Sequence, residues 1–114
     1  MTQIIYHMCR AEEWAAAIAS RSYPGSSQDQ ADGFIHFSTK GQIVESARRH
    51  RAGQDSLLLV AVDAARLGDR LKWETSRGGD LFPHLYGPLH PAEARSVRPL
   101  PLGPDGQHVF PELE

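Results

Sequence analysis

The stretch Ser56-Leu57-Leu58-Leu59-Val60-Ala61-Val62 decides the architecture. It has no polar alternation, so neither face is meant for water, and it predicts a central strand covered on both sides. Its apolar part, Leu57 to Val62, is as long as any apolar run in the chain and is far too short to cross a bilayer. Downstream, Asp63 is placed to cap a short turn through Ala64, Ala65, Arg66 and Leu67. Leu71 to Thr75 (LKWET) alternates as a further strand. Ser76 to Asp80 reads as a loop, and Phe82-Pro83-His84-Leu85-Tyr86-Gly87-Pro88, fenced by two prolines, reads as irregular. Ala94 to Leu102 suggests a last strand, which Pro99 and Pro101 confine to an edge. The tail to Glu114 is expected to be loosely held.

Upstream of the central run, Gln3 to Met8 (QIIYHM) is β-branched and aromatic and predicts a first strand. A helix follows over Ala11 to Ala19, with Glu12 and Glu13 in the first turn, where the dipole favours them, and with Trp14 and Ile18 on its buried face. Tyr23-Pro24-Gly25-Ser26-Ser27 ends that helix and opens a polar loop to Asp32. Gly33-Phe34-Ile35-His36-Phe37 is a short second strand whose alternation places Phe34 and His36 on one face. Ser38 or Thr39 is expected to cap a second helix with Ile43, Val44 and Ala47 as its apolar stripe and Gly53 past its end. Arg48-Arg49-His50-Arg51 falls at that helix's C-terminus, where positive charge complements the macrodipole, a plainer reading than a phosphate-binding patch.

The chain has 114 residues, which fits a single domain over 1–114. A net charge of −2 gives no broad basic field, so a nucleic-acid partner is not expected. The single cysteine, Cys9, rules out an intrachain disulfide, and the N-terminal MTQIIYHMCR has no long apolar core of a signal peptide. These features together predict a cytoplasmic protein with no membrane partner. No heptad or large apolar surface fixes an oligomeric state.

Chemistry, if the chain performs any, centres on His7, His36 and His84, each in a strand-like or turn-like setting among six histidines in all. Imidazole donates, accepts, ligates metals and changes charge near neutral pH. Any one of the three alone is more readily a half-buried histidine bonded to backbone; three in aromatic, turn-bounded contexts bring a shared pocket level with that reading. There is no HExxH, paired cysteine or His-x-His, so no residue is assigned to a metal. A metal-dependent enzyme would need the histidines and Cys9 to meet through folding alone. Standard phosphate loops and a Gly-x-Ser-x-Gly elbow are also absent. Ser38-Thr39-Lys40-Gly41 could offer backbone N–H groups to an anion, although a simple cap is the plainer reading. Glu74, beside Trp73, needs a partner such as Arg77 or a ligand hydroxyl if it is buried.

Taken in order, Ile5-Tyr6-His7, Gly33-Phe34-Ile35-His36-Phe37-Ser38, Trp73-Glu74 and Phe82-Pro83-His84-Leu85-Tyr86-Gly87-Pro88-Leu89 resemble the domain-of-unknown-function 952 family, over about residues 3 to 102. That family is grouped by remote similarity with the ADP-ribosyltransferase fold. The resemblance therefore implies an α+β fold with a small split β-sheet of about five or six strands, two main helices, and NAD as cofactor. It implies a transferase of ADP-ribosyl or phosphoryl type, with His7, His36 and Glu74 as catalytic residues. The corresponding cofactor contacts are His7, His36, Ser38, His84 and Tyr86, with Tyr86 or Trp14 able to stack on a ring. His7 and His36 match, in strand order and type, the two core-strand histidines of the RNA 2′-phosphotransferase branch. The same pocket would equally serve a non-catalytic binder of a small nucleotide or anionic metabolite.

Overall fold

The computed structural model describes residues 2–114, apart from the side chain of Arg77. The central run forms strand β4 (Leu57–Asp63), with β1 (Ile4–Arg10), β3 (Ser38–Thr39) and β7 (Ala94–Leu100) in a four-stranded sheet ordered β3-β1-β4-β7. A second, three-stranded sheet is ordered β2-β6-β5, from β2 (Ile35–His36), β5 (Leu71–Thr75) and β6 (Leu81–Leu85). All pairings are antiparallel. Three α-helices accompany the sheets: α1 (Ala11–Ser20), α2 (Ser27–Asp32) and α3 (Ile43–His50). The class is α+β, with seven strands in two sheets rather than five or six.

β4 is apolar on both faces because each face meets a core. One face carries Val60 and Val62 with Ile5 and Cys9 of β1, against Trp14, Ile35, Phe37 and Leu85. The other carries Leu57, Leu59 and Ala61 with Ile4, Tyr6 and Met8, against Ile43 and Ala47 of α3. Phe110 and Leu113 pack on this second cluster, and the Glu114 N–H donates to the Tyr6 hydroxyl at 3.0 Å. The tail expected to be loose is therefore held by packing and hydrogen bonds. β7 lies at the sheet edge, the position in a sheet where a proline such as Pro99 is tolerated.

Four local readings are corrected. The polar stretch after Gly25 is helix α2, started by a capping box in which Ser26 Oγ accepts from the Asp29 N–H and Asp29 Oδ2 accepts from the Ser26 N–H. Phe82 to Leu85 is not irregular but lies in β6. Pro83 is tolerated there because β2 ends opposite it, where its carbonyl accepts from the Phe37 N–H at 3.0 Å. Ser38 and Thr39 pair with β1 instead of capping a helix; α3 starts at Ile43, and Gln42 Oε1 accepts from the Thr39 N–H. Ile18 and Val44 are exposed, at 58% and 47%, so the buried stripes are Trp14 with Ala17 and Ile43 with Ser46 and Ala47. Among the described residues no helix is long and apolar enough to cross a membrane.

Candidate functional site

β1, α2, β2, α3 and β6 bound a cavity of about 540 Å³, and His7, His36 and His84 all line it. The pairing explains the convergence. β2 and β6 set His36 directly opposite His84, and the two rings meet edge to face with centroids 5.5 Å apart. Phe34 shares the His36 face, as alternation demands, and stacks on His84 at 4.0 Å.

The three histidines are held differently. His7 is 3% exposed and spends both nitrogens internally. Nδ1 donates to the His36 carbonyl at 2.6 Å, so Nε2 is the acceptor for the Tyr23 hydroxyl at 2.7 Å. Burial disfavours the imidazolium and lowers the His7 pKa. His36 is the open ring: Nδ1 meets Asp29 Oδ1 at 2.6 Å and Nε2 meets Asp32 Oδ2 at 3.1 Å. His84 is buried, and its Nδ1 meets Glu74 Oε1 at 2.8 Å.

Asp29 organises one side of the cleft and was absent from the sequence-based candidates. Its carboxylate is 4% exposed yet accepts from the Ser26 and His36 backbone N–H groups and faces the His36 ring. Burial alone would raise its pKa; the His36 ring and the two N–H donors outweigh that and bring it down to about 2. Gly25 gives this carboxylate room: at φ 95° its missing Cβ would fall 2.6 Å from Asp29 Cβ.

Glu74 is half-exposed, and its partners are His84 and the Tyr86 hydroxyl, the latter also donating to Oε1 at 2.8 Å. These bonds hold the carboxyl below its ordinary range. Arg77, the expected partner, has its side chain outside the described residues. Glu74 and Tyr86 support His84 without lining the cavity, whereas Ser38 lines it, hydrogen-bonded to Ser46 at 2.9 Å. Trp14 is a core residue set edge to face with Tyr23. Cys9 is fully buried and its thiol is pushed up to about 11 by burial, so the nearby helix start does not activate it. Lys40 is exposed and does not line the cavity.

A family model described as "Protein of unknown function (DUF952)" matches residues 8–97. The chain belongs to this family. It is similar to protein CC0527 from Caulobacter crescentus. The X-ray structure of that protein matches with 46% identity over 93% of each chain and a TM-score of 0.90. Its solution NMR structure matches with 47% identity over 91% of this chain and 90% of that one, with a TM-score of 0.82. No curated protein matches the chain. In this DUF952 member the matched span holds His36, His84, Asp29 and Glu74 but starts one residue after His7. Among the described residues no group of three or more His, Cys, Asp or Glu side chains is arranged to hold a metal ion.

Proposed function

We propose that the cleft binds a nucleotide of the NAD type and handles its ADP-ribosyl group. The observation that carries this reading is the convergence of His7, His36 and His84, from three strands, on one cavity. Its volume, about 540 Å³, falls within the usual range of small-molecule sites. The pairing of a four-stranded with a three-stranded antiparallel sheet suits the split-sheet architecture of ADP-ribosyltransferases.

The lining chemistry fits such a ligand. Glu13 is among the lining residues, and its Oε1 is buried without a hydrogen-bond partner among the described residues. Arg10 and Arg51 offer positive charge to phosphate at the same cavity. Bound NAD would supply a ribosyl carbon with a good leaving group. The chain would supply orientation and charge: His36 holds a ribose or phosphate oxygen by exchanging its Nε2 contact with the solvent-exposed Asp32 carboxylate for the ligand, and the nearby carboxylates favour positive character on the sugar. Because both nitrogens of His7 are engaged, its part is to fix the His36 backbone rather than to grip the ribose. Ser38 and Tyr86 are proposed as supports of the wall and of Glu74.

One observation favours a second reading, a non-catalytic binder of a small nucleotide or anionic metabolite. Two of the three histidines, His7 and His36, already have both ring nitrogens facing protein acceptors or donors. Titrating NAD and ADP-ribose while following the histidine ring resonances tests the site: His36 and His84 should shift, and His7 should respond least. No shift at millimolar ligand overturns both readings for these nucleotides. Nicotinamide release then separates enzyme from binder.

A further inference from the structure

One histidine in the cleft differs from the other two. His84 Nδ1 is taken by Glu74, but Nε2 has no hydrogen-bond partner among the described residues, and the residue lines the cavity. A carboxylate oxygen can only accept, so Nδ1 carries the proton and Nε2 of the neutral ring carries the lone pair. The ring is also fixed in place, with Phe34 stacked on it at 4.0 Å and His36 against it edge to face at 5.5 Å. Glu74 is itself anchored, since the Tyr86 hydroxyl donates to the same oxygen that receives Nδ1.

We infer that His84 is the general base of the cleft, that Glu74 and Tyr86 are its positioning residues, and that the acceptor it serves is a hydroxyl, either water or an alcohol. This rests on the ADP-ribosyl reading above and names its acceptor class. The acceptor O–H bond breaks and its proton passes to His84 Nε2. The freed electron pair bonds the oxygen to the ribose C1′ of the substrate. The C1′–nitrogen bond breaks, and its electron pair returns to the pyridinium ring, which leaves as neutral nicotinamide. The proton then leaves Nε2 for water. Because the leaving group departs neutral without being protonated, the step needs one base and no acid, and one open ring nitrogen suffices. Glu74 thus acts through His84 and does not itself touch the acceptor.

The test combines ring ¹⁵N spectra with steady-state rates of nicotinamide release, water or an added alcohol being the acceptor. In the unaltered protein the His84 ring should show the proton on Nδ1 and none on Nε2. Glu74→Gln should erase that preference and lower kcat by about 10- to 100-fold with little change in KM. Glu74→Asp should recover part of the rate. The other groups facing the ring, Lys72 opposite it in β5 and His36 with its Asp29 and Asp32 carboxylates, stay in place. His84→Gln should cost about 100-fold or more. Its folding is checked by the dispersion of the amide spectrum, and Tyr86→Phe, with a smaller loss of the same kind, gives a second route. A proton found on Nε2, or kcat unchanged in Glu74→Gln, overturns the inference. Ring states as expected with no nicotinamide release from the unaltered protein overturn the ADP-ribosyl reading and the acceptor class together.

Discussion

The cleft holds two histidine–carboxylate pairs that are inversions of each other. In the Asp29–His36 pair the carboxylate is 4% exposed and the ring 40% exposed, at 2.6 Å. In the Glu74–His84 pair the ring is 7% exposed and the carboxylate 40% exposed, at 2.8 Å. The bond is the same; which partner is buried decides what it does. A buried carboxylate must have every lone pair answered, so Asp29 gathers the Ser26 and His36 N–H groups and becomes a structural post. A buried ring held by an accessible carboxylate needs only one nitrogen satisfied. Its other nitrogen is left for a ligand, and Glu74 adds little to the fold that water could not replace.

The largest expected effect comes from breaking the first pair. Asp29→Ala leaves the Ser26 and His36 N–H groups without their acceptor and removes half of the α2 capping box. Loss of one partner from a buried charged network typically costs about 3–5 kcal/mol. Chemical denaturation should therefore show a midpoint far below that of the unaltered protein. Glu74→Ala, measured beside it, should leave the midpoint where it is. Equal losses in the two variants would break the comparison.

Acid sharpens the contrast. Asp29 has a folded-state pKa of about 2 against an ordinary 3.8, so its contribution is complete above about pH 4 and is lost as pH falls towards 2. The shift corresponds to about 2 kcal/mol. His7 acts earlier in the same direction: burial lowers its pKa below the ordinary 6.5, so the unfolded ring takes up a proton before the folded one does. Stability should thus begin to fall below about pH 6.5 and fall further between 4 and 2. Asp29→Asn should flatten the lower part of that profile, whereas Glu74→Gln should leave it largely intact. Denaturant midpoints taken across the acid range decide between these outcomes.

What could be read from the chain followed from periodicity, and what could not followed from distance. The unalternating run at 56–62 placed β4 between two cores, and the alternation through Phe34 and His36 set both rings on one face. That His7, His36 and His84 line one cavity follows from family-like segments whose meeting only the sheet pairing could fix. Asp29 was passed over because a polar stretch after Pro24-Gly25 reads as loop. Its signal was present in the Ser26-x-x-Asp29 spacing of a capping box, with the shorter aspartate where glutamate is usual. Proximity along the chain suggests Arg77 as the partner of Glu74, and that side chain lies outside the described residues; the partner that is described, His84, lies across the sheet. Lys72 is in register with His84, so Glu74, two residues on and on the same face, reaches His84 diagonally. Pro83 concealed β6, since a proline in a central strand is admissible only where the neighbouring strand has already ended.

The smallest expected effect isolates the outer pair. Tyr86→Phe removes one donor to Glu74 Oε1 and nothing else that the described residues use. The Tyr86 ring is 39% exposed, so its hydroxyl is replaceable by water and the unfolding midpoint should not move. The Glu74 carboxylate, released from one of its two anchors, should bond His84 less uniformly. Ring ¹⁵N spectra should then show the His84 Nδ1–H state retained but less dominant, intermediate between the unaltered protein and Glu74→Gln. An effect on stability with none on the ring would mean that Tyr86 belongs with Asp29 as a structural contact, and the division between a buried post and an accessible support would fail at its most exposed member.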